Sequence, residues 1–258
     1  MSQAVVLARK DLDAYLNSWM GTLTMIFFYI ISGIFFALLV VNYSKLSLEA
    51  VRNTYQGLRG LGLTRFVFSS LFLNTSIVLM FLVPLLTMRA FAEERKLQTL
   101  ELLYTYPLSD FDIVWGKYLA AVSFLILMIL PTAGYLVIVL WLGGSFDWGP
   151  IAVSYLGFLL LGMAYLSLGI FISSLTDNQV VSAIVSFSSL VVFWILDWVA
   201  SLADGIWAIF FALLSPLNHY REFTLGILDL SHIVYFVFFQ FFFLFLTMRS
   251  IETRNWKG

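Results

Sequence analysis

The sequence predicts an all-α integral membrane protein, a single transmembrane domain over residues 1–258. Its expected parts are six transmembrane helices, an N-terminal interfacial helix, a cytoplasmic helix and short re-entrant helices on the outer side. Composition is the first observation behind this reading. Hydrophobic residues make up 61% and charged residues 11%, against about 45–50% and about 25% in soluble domains, and mean hydropathy is +0.95. The second is block length: the apolar residues fall in runs of roughly 20, as a helix crossing a ~30 Å hydrocarbon core requires. The third is that no Lys or Arg falls inside any of the six runs. Runs of this length also exclude a transmembrane β-barrel, whose strands alternate over ~10 residues.

Each element follows in chain order. Residues Ala4 to Leu16 place Val5, Leu12, Tyr15 and Leu16 near one face and Arg9, Lys10, Asp11 and Asp13 mostly on the other, which is the pattern of an interfacial helix. Span one runs from about Trp19 to Val41. The outer segment after it, Tyr43 to Arg65, carries Lys45, Arg52, Arg59, Arg65 and one acid, Glu49. Span two is Phe66–Met88 and span three Tyr118–Leu142. Span four is Ile151–Leu175, and a short Thr176-Asp177-Asn178 turn leads to span five, Val180–Ala203. Ile206–Leu214 is apolar but about half of span length, so it is expected to be re-entrant or surface-lying, with a polar bend at Asn218–Glu222. Span six is Ser231–Met248.

Six spans put both termini on one side. Short loops rich in Lys and Arg stay cytoplasmic, and nine of the 14 bases lie on the terminal side: Arg9, Lys10, Arg89, Arg95, Lys96, Lys117, Arg249, Arg254 and Lys257. Both termini are therefore expected to be cytoplasmic. The mixed polar residues Met1 to Asn17 argue against a cleavable signal peptide.

Several chemistries are excluded. With no Cys there are no disulfides, thiolate metal sites or Cys nucleophiles. The Gly116–Lys117 pair is followed by Tyr118, and Phe111 stands where a phosphate-binding loop needs its leading Gly, so the chain is not expected to bind ATP that way. Neither an HExxH helix nor a GxSxG elbow is present. His219 and His232 lie 13 apart in the outer connection. They are read as one interfacial histidine per helix end, and no metal site is expected. No catalytic residue is assigned, and no nucleic-acid partner is expected.

Polar groups inside spans tend to face a bundle interior or a water-filled cavity. Asn74 in span two and Ser182, Ser186, Ser189 and Asp197 in span five are therefore the candidates for a translocation pathway. Close helix packing is the competing reading for the serines. Asp197, flanked by Trp194 and Trp198 near the outer end, is either a snorkelling acid or a contact at the outer mouth.

The loop between spans two and three is the richest in charge. Glu93 to Tyr104 are good helix formers, and Leu97, Leu100, Leu103 and Tyr104 recur at spacings of three and four, which gives one apolar and one charged face. The helix stops ahead of Pro107. Ser109 offers a cap for the next helix, with Asp110 and Asp112 at its positive end. A lipid-binding helix is usually basic on its polar face, whereas mixed acids and bases suit a protein partner whose charges fix register.

Glu93-Glu94-Arg95-Lys96, Thr99-Leu100-Glu101-Leu102-Leu103, Thr105-Tyr106-Pro107-Leu108-Ser109 and Gly116-Lys117-Tyr118-Leu119 resemble the loop signature of permease subunits of type-2 ABC exporters. The likeness is closest to the branch associated with gliding motility and copper-enzyme maturation. Leu175-Thr176-Asp177-Asn178-Gln179 and Ser215-Pro216-Leu217-Asn218-His219-Tyr220 are similar to the same branch. The resemblance implies a multi-pass protein of the bacterial inner membrane that works with two separate ATPase subunits, which hold the ATP and Mg. It implies a second permease copy or paralogue, and leaves room for a periplasmic auxiliary protein besides the membrane lipids. Glu93, Glu94, Thr99, Leu100, Glu101, Leu103, Thr105 and Pro107 would form the coupling helix, and spans one, two and five would line the dimer interface. Two uses remain open at this point. One is export of an unidentified substrate; the other is an ATP-driven assembly complex that exerts force on a periplasmic protein. A membrane enzyme would need catalytic residues that the sequence does not supply.

Overall fold

A computed structural model describes residues 3–52, 62–96 and 109–255. Among these there is no strand, and six helices are long and apolar enough to cross a membrane. The interfacial helix is α1 (Gln3–Asn17). Span one is α2 (Trp19–Arg52), which continues well past the predicted end at Val41. The extension contains helix formers such as Leu46, Leu48 and Glu49 and no Gly or Pro, so nothing stops it at the bilayer edge. Span two is a π-helical turn (Thr64–Ser69) leading into α3 (Ser70–Thr87), with α4 (Ala92–Lys96) just beyond.

Span three starts earlier than its apolar block. Ser109 caps α5 (Asp110–Ile129) by accepting from the Asp112 amide at 3.1 Å, and Asp112 answers as the second half of a capping box. Pro131 lacks the N–H a helix interior needs. The chain passes there through a short 3₁₀ turn (Leu130–Ala133) and resumes as α6 (Gly134–Trp141). Spans four, five and six are α7 (Trp148–Leu175), α8 (Gln179–Leu202) and α11 (Leu230–Asn255).

Between spans five and six lie two short helices, α9 (Ile206–Leu214) and α10 (Pro216–Thr224). The expected polar bend at Asn218–Glu222 is thus corrected to helix. Ser215 accepts from the Asn218 amide, Pro216 occupies the first turn, and Leu217, Tyr220 and Phe223 recur on one buried face.

The core is built around α7. In its apolar window 72% of residues are buried, against 17% for α8 and 22% for α2, so α8 and α2 are peripheral. Three glycines of α7 let three neighbours approach. A Cβ at Gly157 would lie 2.3 Å from Phe223 of α10, one at Gly162 2.6 Å from Leu125 of α5, and one at Gly169 2.2 Å from Thr87 of α3. Helices in lipid gain little from expelling water, so such small-residue contacts supply the packing. Interhelical hydrogen bonds add to them. The Tyr118 hydroxyl donates to Gln240 Oε1 at 3.1 Å, and Gln240 Nε2 donates to the Leu160 carbonyl at 3.4 Å, which explains the one amide in span six.

Gly157→Val should overpack the α7–α10 seam and cost about 1–3 kcal/mol, read as a lowered melting temperature in lipid nanodiscs. Gly149→Ala, where the added methyl meets open space, should leave the melting temperature within error of wild type.

Candidate functional site

Two charged sites sit at opposite ends of the bundle. The first is on the face that carries both termini and is centred on Lys117, whose side chain is only 4% exposed. Its Nζ donates to Glu94 Oε1 at 2.6 Å and lies 3.5 Å from Asp11 Oδ2, with the Phe91 ring centred 5.2 Å away. Three elements, α1, α4 and α5, thus meet on one ammonium. Gly116 makes the meeting possible, because a Cβ there would press within 3.1 Å of Leu7 and Ala4. Ala4, Leu7, Asp11 and Tyr15 share the α1 face that packs on α5, and the Tyr15 ring contacts Phe124. Val5 and Leu16, expected on the apolar face of the interfacial helix, are not packed on α5 and stay exposed. Burial, with the Asp11 and Glu94 carboxylates adding to it, holds the Tyr15 phenol well above its ordinary pKa.

α4 is fixed from further sides. Ser173 Oγ of α7 accepts from the Phe91 and Ala92 amides at 3.1 and 3.2 Å. Arg95 lies 3.7 Å from Asp177 in the α7–α8 turn. Glu94 therefore points into the protein, whereas Glu93 pairs with Arg89 at 3.8 Å and stays 40% exposed. The remaining residues predicted for this helix, Thr99, Leu100, Glu101, Leu103, Thr105 and Pro107, lie outside the described residues.

The second site is at the opposite end. Asp197 Oδ2 is 2.9 Å from an Arg221 amino group on α10. The pair lines a cavity of about 540 Å³ together with Asn74, Trp194, Trp198 and Ser201. Asn74 also borders an apolar groove of about 800 Å³ between α2, α3 and α8. Of the five pathway candidates, the structure brings Asn74 and Asp197 together. Ser182 and Ser186 are fully buried and line neither hollow, and the Ser189 hydroxyl donates to the Val185 carbonyl at 2.8 Å.

The histidines are not isolated at separate helix ends. His219 Nδ1 of α10 is 2.7 Å from His232 Nδ1 of α11, and the His219 ring stacks on Tyr235. Because His219 Nε2 faces the Leu213 carbonyl at 3.1 Å, Nε2 carries the hydrogen and Nδ1 accepts from His232. Burial lowers the pKa of His219, opposed in part by the hydrogen bond to the Leu213 carbonyl and aided slightly by the His232 charge. Among the described residues no group of three or more potential ligands is arranged to hold a metal ion.

Comparison with known families settles what this bundle is. A family profile described as ABC-2 family transporter protein matches residues 5–251. The chain belongs to the ABC-2 transporter family. Comparison with curated proteins gives no significant match. The match makes the chain a permease-type membrane domain of an ABC transporter, a component that in this family is normally non-enzymatic and works with ATPase subunits.

In this permease the sequence reading missed Lys117, Arg221 and the histidine contact. A signal for Lys117 was present: it stands on the same stripe as Ile113, Val114, Tyr118 and Ala121, all buried, so it is a lone cation on an apolar helix face.

Lys117→Met should leave Asp11 and Glu94 without the cation they share. A broken buried pair costs about 3–5 kcal/mol, and the partial exposure of both carboxylates, 16% and 18%, points to the lower end. Hydrogen exchange across α1 should rise in the variant and not in Lys117→Arg. The histidine contact gives a pH dependence. The folded state holds His219 below its unfolded value near 6.5, so the unfolded chain binds more protons at low pH. This contribution is full above about pH 6.5 and lost as pH falls through the folded value. The melting temperature of the wild type should drop between pH 7 and pH 5, and His219→Gln should flatten that drop.

Proposed function

We propose that the permease is the transmembrane subunit of an exporter driven by two separate ATPase subunits that dock on the terminal face, which is cytoplasmic in the bacterial inner membrane. ATP and Mg would be held by those subunits. The observation that carries this reading is the anchoring of α4. Lys117, Ser173 and Asp177 tie it to span three, span four and the start of span five, so a force applied at α4 is delivered to the spans. The excess of Lys and Arg on the terminal side supports the orientation. A second permease copy would cover the groove between α2, α3 and α8. Glu93, exposed on α4, together with Thr99, Leu100, Glu101, Leu103, Thr105 and Pro107, would form the coupling surface. Glu94 would hold that surface in place.

A mechanical role in assembly is the second reading. The continuation of α2 to Arg52 supports it, since this length, ~50 Å at 1.5 Å per residue, carries the helix beyond a bilayer on the far side. ATP turnover in nanodiscs that responds to a solute or lipid speaks for export. Turnover that responds only to an added periplasmic protein speaks for assembly.

The docking claim is tested with Glu93→Lys combined with Glu101→Lys, which leaves Glu94 and Lys117 intact. Affinity purification of the tagged permease from its native cells should recover roughly tenfold less ATPase, equivalent to ~1.4 kcal/mol, at an unchanged melting temperature. Equal recovery would sink the proposal.

A further inference from the structure

Span three changes character midway, and its neighbours serve the break. Pro131 has no N–H to give the Leu127 carbonyl four residues before it. That carbonyl lies on a lipid-facing stretch, with Leu127 40% and Leu130 64% exposed, where an unpaired backbone group finds no water. The Tyr29 hydroxyl of α2 donates to it at 3.3 Å. Thr132 Oγ1 donates to the Ile129 carbonyl at 2.6 Å and accepts from the Tyr155 hydroxyl of α7 at 3.1 Å.

The two halves of the span are held by different neighbours. Below the break, α5 is seated on α7 where Leu125 meets Gly162, and on α1 where Gly116 meets Leu7. Above it, α6 is tied to α2. The Tyr135 hydroxyl lies 2.9 Å from Ser32 Oγ, and because Ser32 already donates to the Tyr29 carbonyl at 3.3 Å, Tyr135 is the donor. The Tyr135 ring stacks on Phe36, with centroids 4.5 Å apart and planes at 12°. Tyr29, Ser32 and Phe36 follow at spacings of three and four, so one face of α2 serves both halves, Tyr29 the lower and Ser32 with Phe36 the upper. None of the three borders the groove between α2, α3 and α8.

Gly134, the first residue of α6, has an ordinary helical φ of -59°, and a Cβ on it would meet nothing within 4 Å. Neither conformation nor crowding calls for glycine there, and glycine weakens a helix. What it adds beside Pro131 is freedom to bend. Of the two supports, α2 is the peripheral one and α7 the buried one. The outer half of the span is therefore attached to the support that is easier to displace.

We infer that span three is a two-part helix, hinged from Pro131 to Gly134, whose outer half α6 moves with span one while α5 stays with span four. Tyr29 is the positioning residue of this hinge. Its hydroxyl on the Leu127 carbonyl keeps the halves in register, and it is withdrawn when span one carries α6 away. As a step of transport this rests on the exporter reading; as a hinge it is a property of the permease alone.

The test is hydrogen exchange of the α6 amides in the full-length permease in nanodiscs, for Tyr29→Phe, Pro131→Ala and the double variant. Removing the hydroxyl should speed exchange across Gly134–Trp141 roughly tenfold, the effect of one lost hydrogen bond. In the Pro131→Ala background the same change should have no effect, because residue 131 then supplies the Leu127 carbonyl with its own amide. Equal acceleration in both backgrounds makes Tyr29 a general packing residue and overturns its role, and no acceleration in either does the same. The chain has no cysteine, so introduced spin labels report the movement directly. One pair joins Ile26 of α2 to Trp141 of α6 and the other joins Phe111 of α5 to Trp141, all three being exposed. Tyr29→Phe should broaden the second distance distribution and leave the first narrow. Broadening of both, or of neither, overturns the hinge. No ATPase is present in either measurement, so their failure leaves the exporter reading to be decided by co-purification.

Discussion

Lipid gives one apolar helix no hydrophobic reason to prefer another apolar helix over an acyl chain, and the whole permease is organised around how α7 overcomes that. Where a soluble core would use interlocking Leu and Phe, α7 offers bare backbone at Gly157, Gly162 and Gly169. The side chains of Phe223, Leu125 and Thr87 then close on it at distances no Cβ would allow. Dispersion grows steeply as surfaces approach, so these three contacts locate α10, α5 and α3 about a common axis. The serines of the same helix do a second job. Ser154 donates to the Phe223 carbonyl, and Ser173 accepts from two amides beside α4. They satisfy backbone groups at points where neighbouring chain segments begin or end.

Both charged sites hang from this axis. At the terminal face, Ser173 sets the start of α4, and α4 then carries Glu94 to Lys117. Lys117 in turn reaches α1 only because Gly116 leaves room for Leu7. At the other end Gly157 seats α10, and α10 carries both Arg221 to Asp197 and His219 to His232. Each charged group is thus placed by an uncharged contact with α7 or α5. That order is what a low-dielectric setting demands, since an ion pair is favourable there only when its geometry is fixed in advance.

The spans were legible in the sequence because length and hydropathy are local quantities, and so was the Ser109 cap, whose partner Asp112 is three residues away. The helical run from Pro216 was not, because the polar side chains Asn218, Arg221 and Glu222 hide the buried stripe formed by Leu217, Tyr220 and Phe223. The charged sites were half legible. Asp197 drew attention as an acid in a span, yet its partner is on another helix and was counted only as a loop charge. Lys117 lies 106 residues from Asp11, and no local pattern announces such a pair. Its one trace is a cation on a stripe that is otherwise apolar. Spacing puts Ser182 and Ser186 on one helical face, and both are buried there and border neither hollow.

The contacts also decide which part of the outer end is free to move. α10 is held by Gly157 against Phe223, by the Ser154 and Ser69 hydroxyls on the carbonyls of Phe223 and Thr224, and by the histidine contact to α11. α8 has far less of its surface buried, and its beginning follows directly on Asp177, the residue that faces Arg95 of α4. Separating Asp197 from Arg221 therefore costs least when α8 shifts and α10 stays. A displacement at α4 is passed to α5 through Glu94 and Lys117, to α7 through Ser173 and towards α8 through the Arg95–Asp177 contact, and of these three helices α8 is the least buried. Asp197 thus sits on the less tightly packed partner of the far end, and Arg221 on the better held one.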